Sequence, residues 1–97
     1  MEAKFEWDAA KDLANRVKHG VSFETATLAF SDTDFMIRED AEHSGDEVRY
    51  HCYGKVDGKV LTVTFTYRGQ RIRIISAGYW RYGRKQYETK NSLHGRA

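Results

Sequence analysis

Polar and apolar residues alternate through Lys4-Phe5-Glu6-Trp7, the pattern of a short strand with one buried side, and Asp8 follows as a residue suited to capping a helix. Ala10, Leu13, Ala14 and Val17 then recur at intervals of three and four and mark the apolar face of a helix that ends near His19. Gly20 supplies the left-handed residue that stops it, and Lys18 and His19 place positive charge in the last turn, where the helix dipole favours it. Ser22 is a second cap, and Phe23, Ala26, Thr27 and Phe30 mark one face of a short second helix. Ser31 and Asp32 break that pattern. Phe35 and Ile37 alternate with Asp34, Met36 and Arg38 as a strand, and the polar stretch 39–46 is the least structured part of the chain.

From Glu47 onward the period is two. Val48, Tyr50 and Cys52 alternate with Arg49, His51 and Tyr53, Asp57-Gly58 forms a hairpin turn, and residues 60–67 are rich in β-branched and aromatic side chains. Arg68-Gly69 makes the next turn before Arg71-Ile72-Arg73-Ile74-Ile75, so an antiparallel meander of three strands is predicted. Residues 79–88 predict a short last helix with Trp80, Arg84 and Tyr87 close in space, weakened at Gly78 and Gly83 by about 1 kcal/mol each relative to alanine. Residues 89–97 read as a frayed tail. The 97 residues suit one α+β domain with a single modest core.

Composition narrows the function classes. No apolar run approaches the roughly 20 residues that cross a bilayer, and residues 1–4 carry no apolar signal core, so a cytoplasmic protein with no membrane association is expected. Cys52 is the only cysteine, which excludes an internal disulfide and any zinc-type cysteine spacing, and it reads as a packed strand thiol. Nothing resembles a glycine-rich phosphate loop, a serine nucleophile elbow or a metal cluster, and no cofactor or metal is expected.

The net charge of +2 hides a skew: residues 1–67 hold 8 Lys and Arg against 13 Asp and Glu, whereas residues 68–97 hold 8 against 1. The basic third points to a polyanion or an acidic protein segment as partner. With Val48, Tyr50, Cys52, Leu61, Val63, Phe65, Ile72 and Ile74 towards the core, the other side of the strands shows Arg49, His51, Tyr53, Thr62, Thr64, Arg71 and Arg73. Guanidiniums that grip phosphates beside rings that stack on bases suit single-stranded RNA, although an uncovered antiparallel face is polar in any protein.

Metal-independent RNA cleavage needs a base for the 2′-hydroxyl, positive charge for the phosphate and an acid for the leaving oxygen. Arg49, Arg71 and Arg73 are candidates for the charge, and His51 or His19 for proton transfer, with Lys18, Tyr53, Arg81, Arg84 and Tyr87 as further RNA contacts. His19 and Lys18 equally suit the end of a helix, and Trp7 suits the core. The four histidines lie too far apart in local structure to suggest a site by spacing.

Phe5-Glu6-Trp7-Asp8, Lys11, Asn15, Lys18-His19-Gly20-Val21, Phe23, Ala26 and Phe30 resemble the opening of the BrnT toxin family, and Glu47, Arg49, Gly54 and Arg71-x-Arg73-Ile74-Ile75-Ser76-Ala77 resemble its later strands. The resemblance covers residues 4–77. It implies a RelE-like antiparallel sheet with two N-terminal helices packed on one face and a short C-terminal helix. It further implies a ribonuclease that blocks translation, and a BrnA-like antitoxin with a ribbon-helix-helix region. Operator DNA would be met only through that antitoxin.

The end of the chain departs from the family: Gly78 stands where an arginine is usual and Gly83-Arg84 where Glu-Arg is usual, while Tyr87-Glu88 remains. These departures imply an alternative, a weakened or non-enzymatic homologue that binds an antitoxin or nucleic acid and acts as an operon co-repressor. On this reading, an arginine restored at position 78 raises toxicity.

Overall fold

The structure is a computed structural model that describes residues 4–94. Strands β1 (Lys4–Glu6), β2 (Met36–Asp40), β3 (Arg49–Val56), β4 (Lys59–Arg68) and β5 (Arg71–Gly78) form one sheet in the order β1-β5-β4-β3-β2. The meander β3-β4-β5 is antiparallel as the turn residues dictate, with Asp57 and Gly58 at φ 53° and 80° in the first turn and Gly69 at 60° in the second. The sheet is nevertheless mixed rather than antiparallel, because β1 runs parallel to β5. A three-residue strand carries no sign of its partner, and the crossover through the helices sets its direction.

Helix α1 (Ala9–His19) begins where Asp8 accepts from the Lys11 amide at 3.0 Å and ends at Gly20, φ 70°. Helix α2 (Phe23–Thr27) is capped by Ser22, which accepts from the Thr25 amide, and tightens into a 3-10 turn, Leu28–Ser31. Phe23, Ala26, Ala29 and Val21 cover the sheet face built by Val56, Leu61, Cys52, Val63, Phe65, Ile74 and Ala77. Gly54 lets the 3-10 turn settle onto β3, since a Cβ there would strike the Ala29 carbonyl. Phe30 packs edge-on against Phe65 at 5.2 Å, and Trp7 lies against Phe23 as a core residue.

Helix α1 docks with its polar side. Asn15 is 6% exposed and its carboxamide donates to the Val21 and Ala77 carbonyls, both at 2.9 Å, while accepting from the Ala77 amide at 3.2 Å. Asp12 accepts from the Phe23 amide at 2.8 Å. Its apolar positions face away: Leu13 is 55% and Val17 82% exposed, with Ala10 and Ala14 also exposed. Val48, expected in the core, is likewise 42% exposed, because β3 begins only at Arg49.

The last helix, α3 (Arg81–His94), is neither short nor beside the other two. It continues through residues 89–94, where a frayed tail was expected; residues 95–97 lie outside the described residues. It crosses the opposite sheet face, where Gly83 sits so close to Thr62 and Tyr53 that a Cβ would overlap the Thr62 hydroxyl. Tyr53, Val60 and Tyr87 form a second small core there. Tyr53 and Thr62, expected on an uncovered face, are therefore buried, and Thr64, expected there too, is buried beside His51. No described helix is long and apolar enough to cross a membrane.

Removing the Asn15 carboxamide strands three backbone groups, so Asn15→Ala is expected to destabilise the fold by about 3 kcal/mol, read from urea midpoints at unchanged slope. Val17→Ala should stay within about 0.5 kcal/mol. A Val17 effect matching that of Asn15 would contradict this docking.

Candidate nucleic-acid interface

The half of the opposite face that α3 leaves open carries the charge. Register across the strands puts Glu6 of β1, Arg73 of β5 and Thr66 of β4 in line, and the next pair beyond Tyr50 and Phe65 brings Arg49 of β3 alongside Thr66 and opposite Asp40 of β2. Arg49, Thr66 and Arg73 line one cleft of about 250 Å³ with Lys11, Arg68, Glu47 and Ile75. Ile75 reaches it because a bulge opposite Thr64 and Phe65 shifts the alternation of β5 by one residue.

Carboxylates at the rim hold several of these guanidiniums in place. Glu6 accepts from Arg73 Nη1 at 2.9 Å and lies 3.8 Å from Arg71 Nη1, and Glu47 takes a fork of two bonds from Arg68 at 2.9 and 3.1 Å. The Arg68 fork keeps the Glu47 carboxyl below its ordinary range. Neither Lys11 nor the Arg49 side chain has an ion-pair partner among the described residues, which leaves two cations in the cleft able to meet an anion.

His51 stands two residues beyond Arg49 on the same strand face and lines the neighbouring hollow with Arg38, His43 and Tyr82. Its Nε2 lies 3.0 Å from Asp40 Oδ2 and its Nδ1 3.1 Å from the Thr64 hydroxyl. His43 Nδ1 meets the same Asp40 oxygen at 2.9 Å. Two histidines that sequence spacing kept apart therefore share one carboxylate, because the β2–β3 pairing folds the loop 41–48 back on itself. Burial acts to raise the Asp40 carboxyl, but the hydrogen bonds from His43 and the charge of His51 outweigh it and hold the group below its ordinary value of 3.8.

The remaining candidates lie elsewhere. Arg71 sits at the rim beside Glu6. His19 is at the far end of α1, eight residues or roughly 12 Å from Lys11, with its ring edge-on to Trp80 at 5.2 Å. Lys18 is exposed beside it. Arg81 and Arg84 line a separate hollow with Lys55, Lys59, Tyr79 and Trp80. Tyr53 and Tyr87 are withdrawn from any RNA surface: Tyr53 is 2% exposed, and the Tyr87 hydroxyl donates to Asp32 at 2.6 Å. Burial and that carboxylate drive the Tyr87 phenol well above its ordinary range. Cys52 is a packed thiol, pushed up to about 12 by burial.

Sequence reasoning missed Lys11, Thr66, Arg68, Asp40 and Glu6 as site residues. Extending the alternation of β4 by two positions at a time from Thr64 would have reached Thr66 and Arg68. Asp40 and Glu6 need the pairing of β2 and β1, which no local pattern announces. The departures at Gly78 and Gly83 have a packing cause. A Cβ on Gly78 would fall 2.5 Å from the Trp80 indole, so an arginine placed there displaces Trp80 from His19 as well as adding charge.

A five-stranded mixed sheet with three helices, its open half gathering arginines into a cleft, defines a small α+β protein. The chain is a member of the BrnT family, the ribonuclease toxins of type II toxin-antitoxin systems, whose sequence model matches residues 7–82. The match takes in Lys11, Arg49, His51, Arg71 and Arg73 and stops just inside α3. No curated protein matches the chain significantly.

Asp40 titrates lower in the folded protein than in the unfolded chain, so its contribution is present above the unfolded value and is lost as pH falls through the folded one. Asp40→Asn should lower stability at neutral pH and flatten the acid-induced loss that sets in as pH falls below the ordinary carboxylate value of 3.8. Denaturant melts of both proteins across that window check this, and parallel curves would refute it.

Proposed function

We propose that the protein is an endoribonuclease of RelE-like type that cleaves single-stranded RNA without a metal, inhibits translation, and is held inactive by a BrnA-like antitoxin with a ribbon-helix-helix region. The observation that carries the reading is the row Arg49, Thr66 and Arg73 across three strands, with Lys11 above it and two of the four cations in the cleft unpaired among the described residues. Such a cleft is shaped for a phosphodiester. Arg49 and Arg73 grip the phosphate and stabilise the charge that grows on it as the 2′-oxygen attacks. Glu6 positions Arg73 for that role.

His51 is the candidate for proton transfer, about 6.6 Å along β3 from Arg49. In the neutral tautomer whose Nε2 proton is donated to Asp40, 3.0 Å away, the lone pair sits on Nδ1, which faces the Thr64 hydroxyl at 3.1 Å. RNA that displaces that hydroxyl would give up its 2′-proton to Nδ1. The oxygen then attacks phosphorus, a 2′,3′-cyclic phosphate forms as the bond to the 5′-oxygen breaks, and that oxygen takes a proton from solvent water while the proton held on His51 returns to solvent. Operator DNA is met only through the antitoxin.

The test is cleavage of single-stranded RNA by purified protein in the presence of a chelator, with the product ends identified. Arg73→Ala and Arg49→Ala should each lose at least about 100-fold in rate, and His51→Ala should lose a comparable factor with little change in RNA affinity. Cleavage that requires a metal overturns the mechanism. RNA that is shifted in mobility but never turned over makes the chain a binding module instead, the reading that the departures at Gly78 and Gly83 raised.

A further inference from the structure

The inverted docking of α1 leaves a surface that the ribonuclease reading does not use. At about 100° per residue, Asp12, Asn15 and His19 point to one side of the helix, and Ala10, Leu13, Ala14 and Val17 to the side diametrically opposite. The first group is held against the sheet and Trp80, so the second is turned into solvent along the whole helix. A stripe with this spacing is the ordinary core-facing side of an amphipathic helix, here with nothing against it among the described residues.

The charges bordering the stripe are of one sign. Lys11 and Lys18 flank it on one side and Arg16 on the other, all three exposed. Asp12 is the one acidic residue of α1 and is turned inward to the Phe23 amide, with Arg16 as its one ion-pair partner among the described residues, at 3.9 Å. Aliphatic side chains offer no stacking surface to bases, which disfavours RNA as the occupant. A second copy packed face to face about a two-fold axis would set Lys11, Arg16 and Lys18 against their own counterparts. The complement of an aliphatic stripe edged by cations is an amphipathic helix edged by carboxylates.

We infer that the outer face of α1 is the docking surface for an acidic amphipathic helix of the antitoxin. Leu13 and Val17 are its apolar anchors, and Lys11, Arg16 and Lys18 meet its carboxylates. Lys11 belongs both to this border and to the arginine cleft, so the docked helix takes a cation from the cleft and overhangs its mouth. Neutralisation then follows from occupation of the cleft edge, a consequence that rests on the cleft being the RNA site. The docking itself does not rest on that.

The antitoxin expressed with the toxin from their native operon serves as the probe. Leu13→Glu combined with Val17→Glu should weaken its binding at least about 100-fold, and Lys18→Glu about 10-fold with a shallower salt dependence, while the free proteins melt as wild type does. Because Cys52 is buried, Val17→Cys provides a single accessible thiol, and a polarity-sensitive fluorophore attached there should shift to the blue when antitoxin is added. The label keeps the proposal testable should the charged variants fold poorly. Unchanged affinity in the double variant, or a label that stays in water, overturns the proposal. So does a free toxin that sediments as a dimer and becomes a monomer on Val17→Glu, because the occupant is then a second copy. An Arg73→Ala protein that still cleaves RNA but binds antitoxin through Val17 would sink the cleft assignment and leave the docking surface standing.

Discussion

The Asn15 carboxamide is the contact on which the arrangement depends. It bonds to both backbone groups of Ala77, on the strand next to β1, and to the carbonyl of Val21, which leads into α2. One side chain thereby fixes the rotation of α1, the end of β5 and the entry to the second helix. A buried amide forms such bonds in a low-dielectric setting, where leaving any of the three backbone partners unpaired is expensive. Turning the helix by half a revolution would bury Leu13 and Val17, but it would carry Asn15 and Asp12 into water and orphan the groups they satisfy. Polar satisfaction outweighs aliphatic burial here, and the rotation it selects sets Lys11 over the arginines.

The opposite face is divided by the other close approach. Gly83 brings α3 down onto Thr62 and Tyr53, and Gly78 accepts the Trp80 indole at the start of the same helix. A side chain at either position would lift the helix or move the indole. Half of what the strand alternation presents as a polar surface is thus buried as a small tyrosine-centred core, and the open half is confined to Arg49, Thr66, Arg73 and their neighbours. The residues that depart from the family pattern therefore shape the boundary of the cleft without forming its floor.

Carboxylates inside a basic cleft organise it as well as weaken its field. Glu6 and Glu47 hold long, flexible guanidinium side chains at fixed points, so less rotamer freedom remains to be lost when an anion arrives. Asp40 does the same for His51 and ties His43 and the loop 41–48 to the sheet edge, with the Ser44 hydroxyl bonded to the Asp40 carbonyl and to the Arg49 amide. Charge and loop position are coupled through that one carboxylate.

What the chain determined by itself is everything set by near neighbours: the capped ends of α1 and α2, the turns at Asp57-Gly58 and Arg68-Gly69, and the two-residue alternation that puts Arg49, His51, Arg71 and Arg73 on one side. These follow from hydrogen bonds and dihedral preferences within a few residues, which leave a pattern in the sequence. The family motif was also legible, including Lys11 and Asn15, though not what either does. Only the tertiary structure decided that α1 docks by its polar side, that β1 lies parallel to β5, that α3 covers Tyr53 and Thr62, and that His43 and His51 meet at Asp40. Each is a pairing between residues distant in sequence, where the free energy comes from satisfying a partner that local periodicity cannot name.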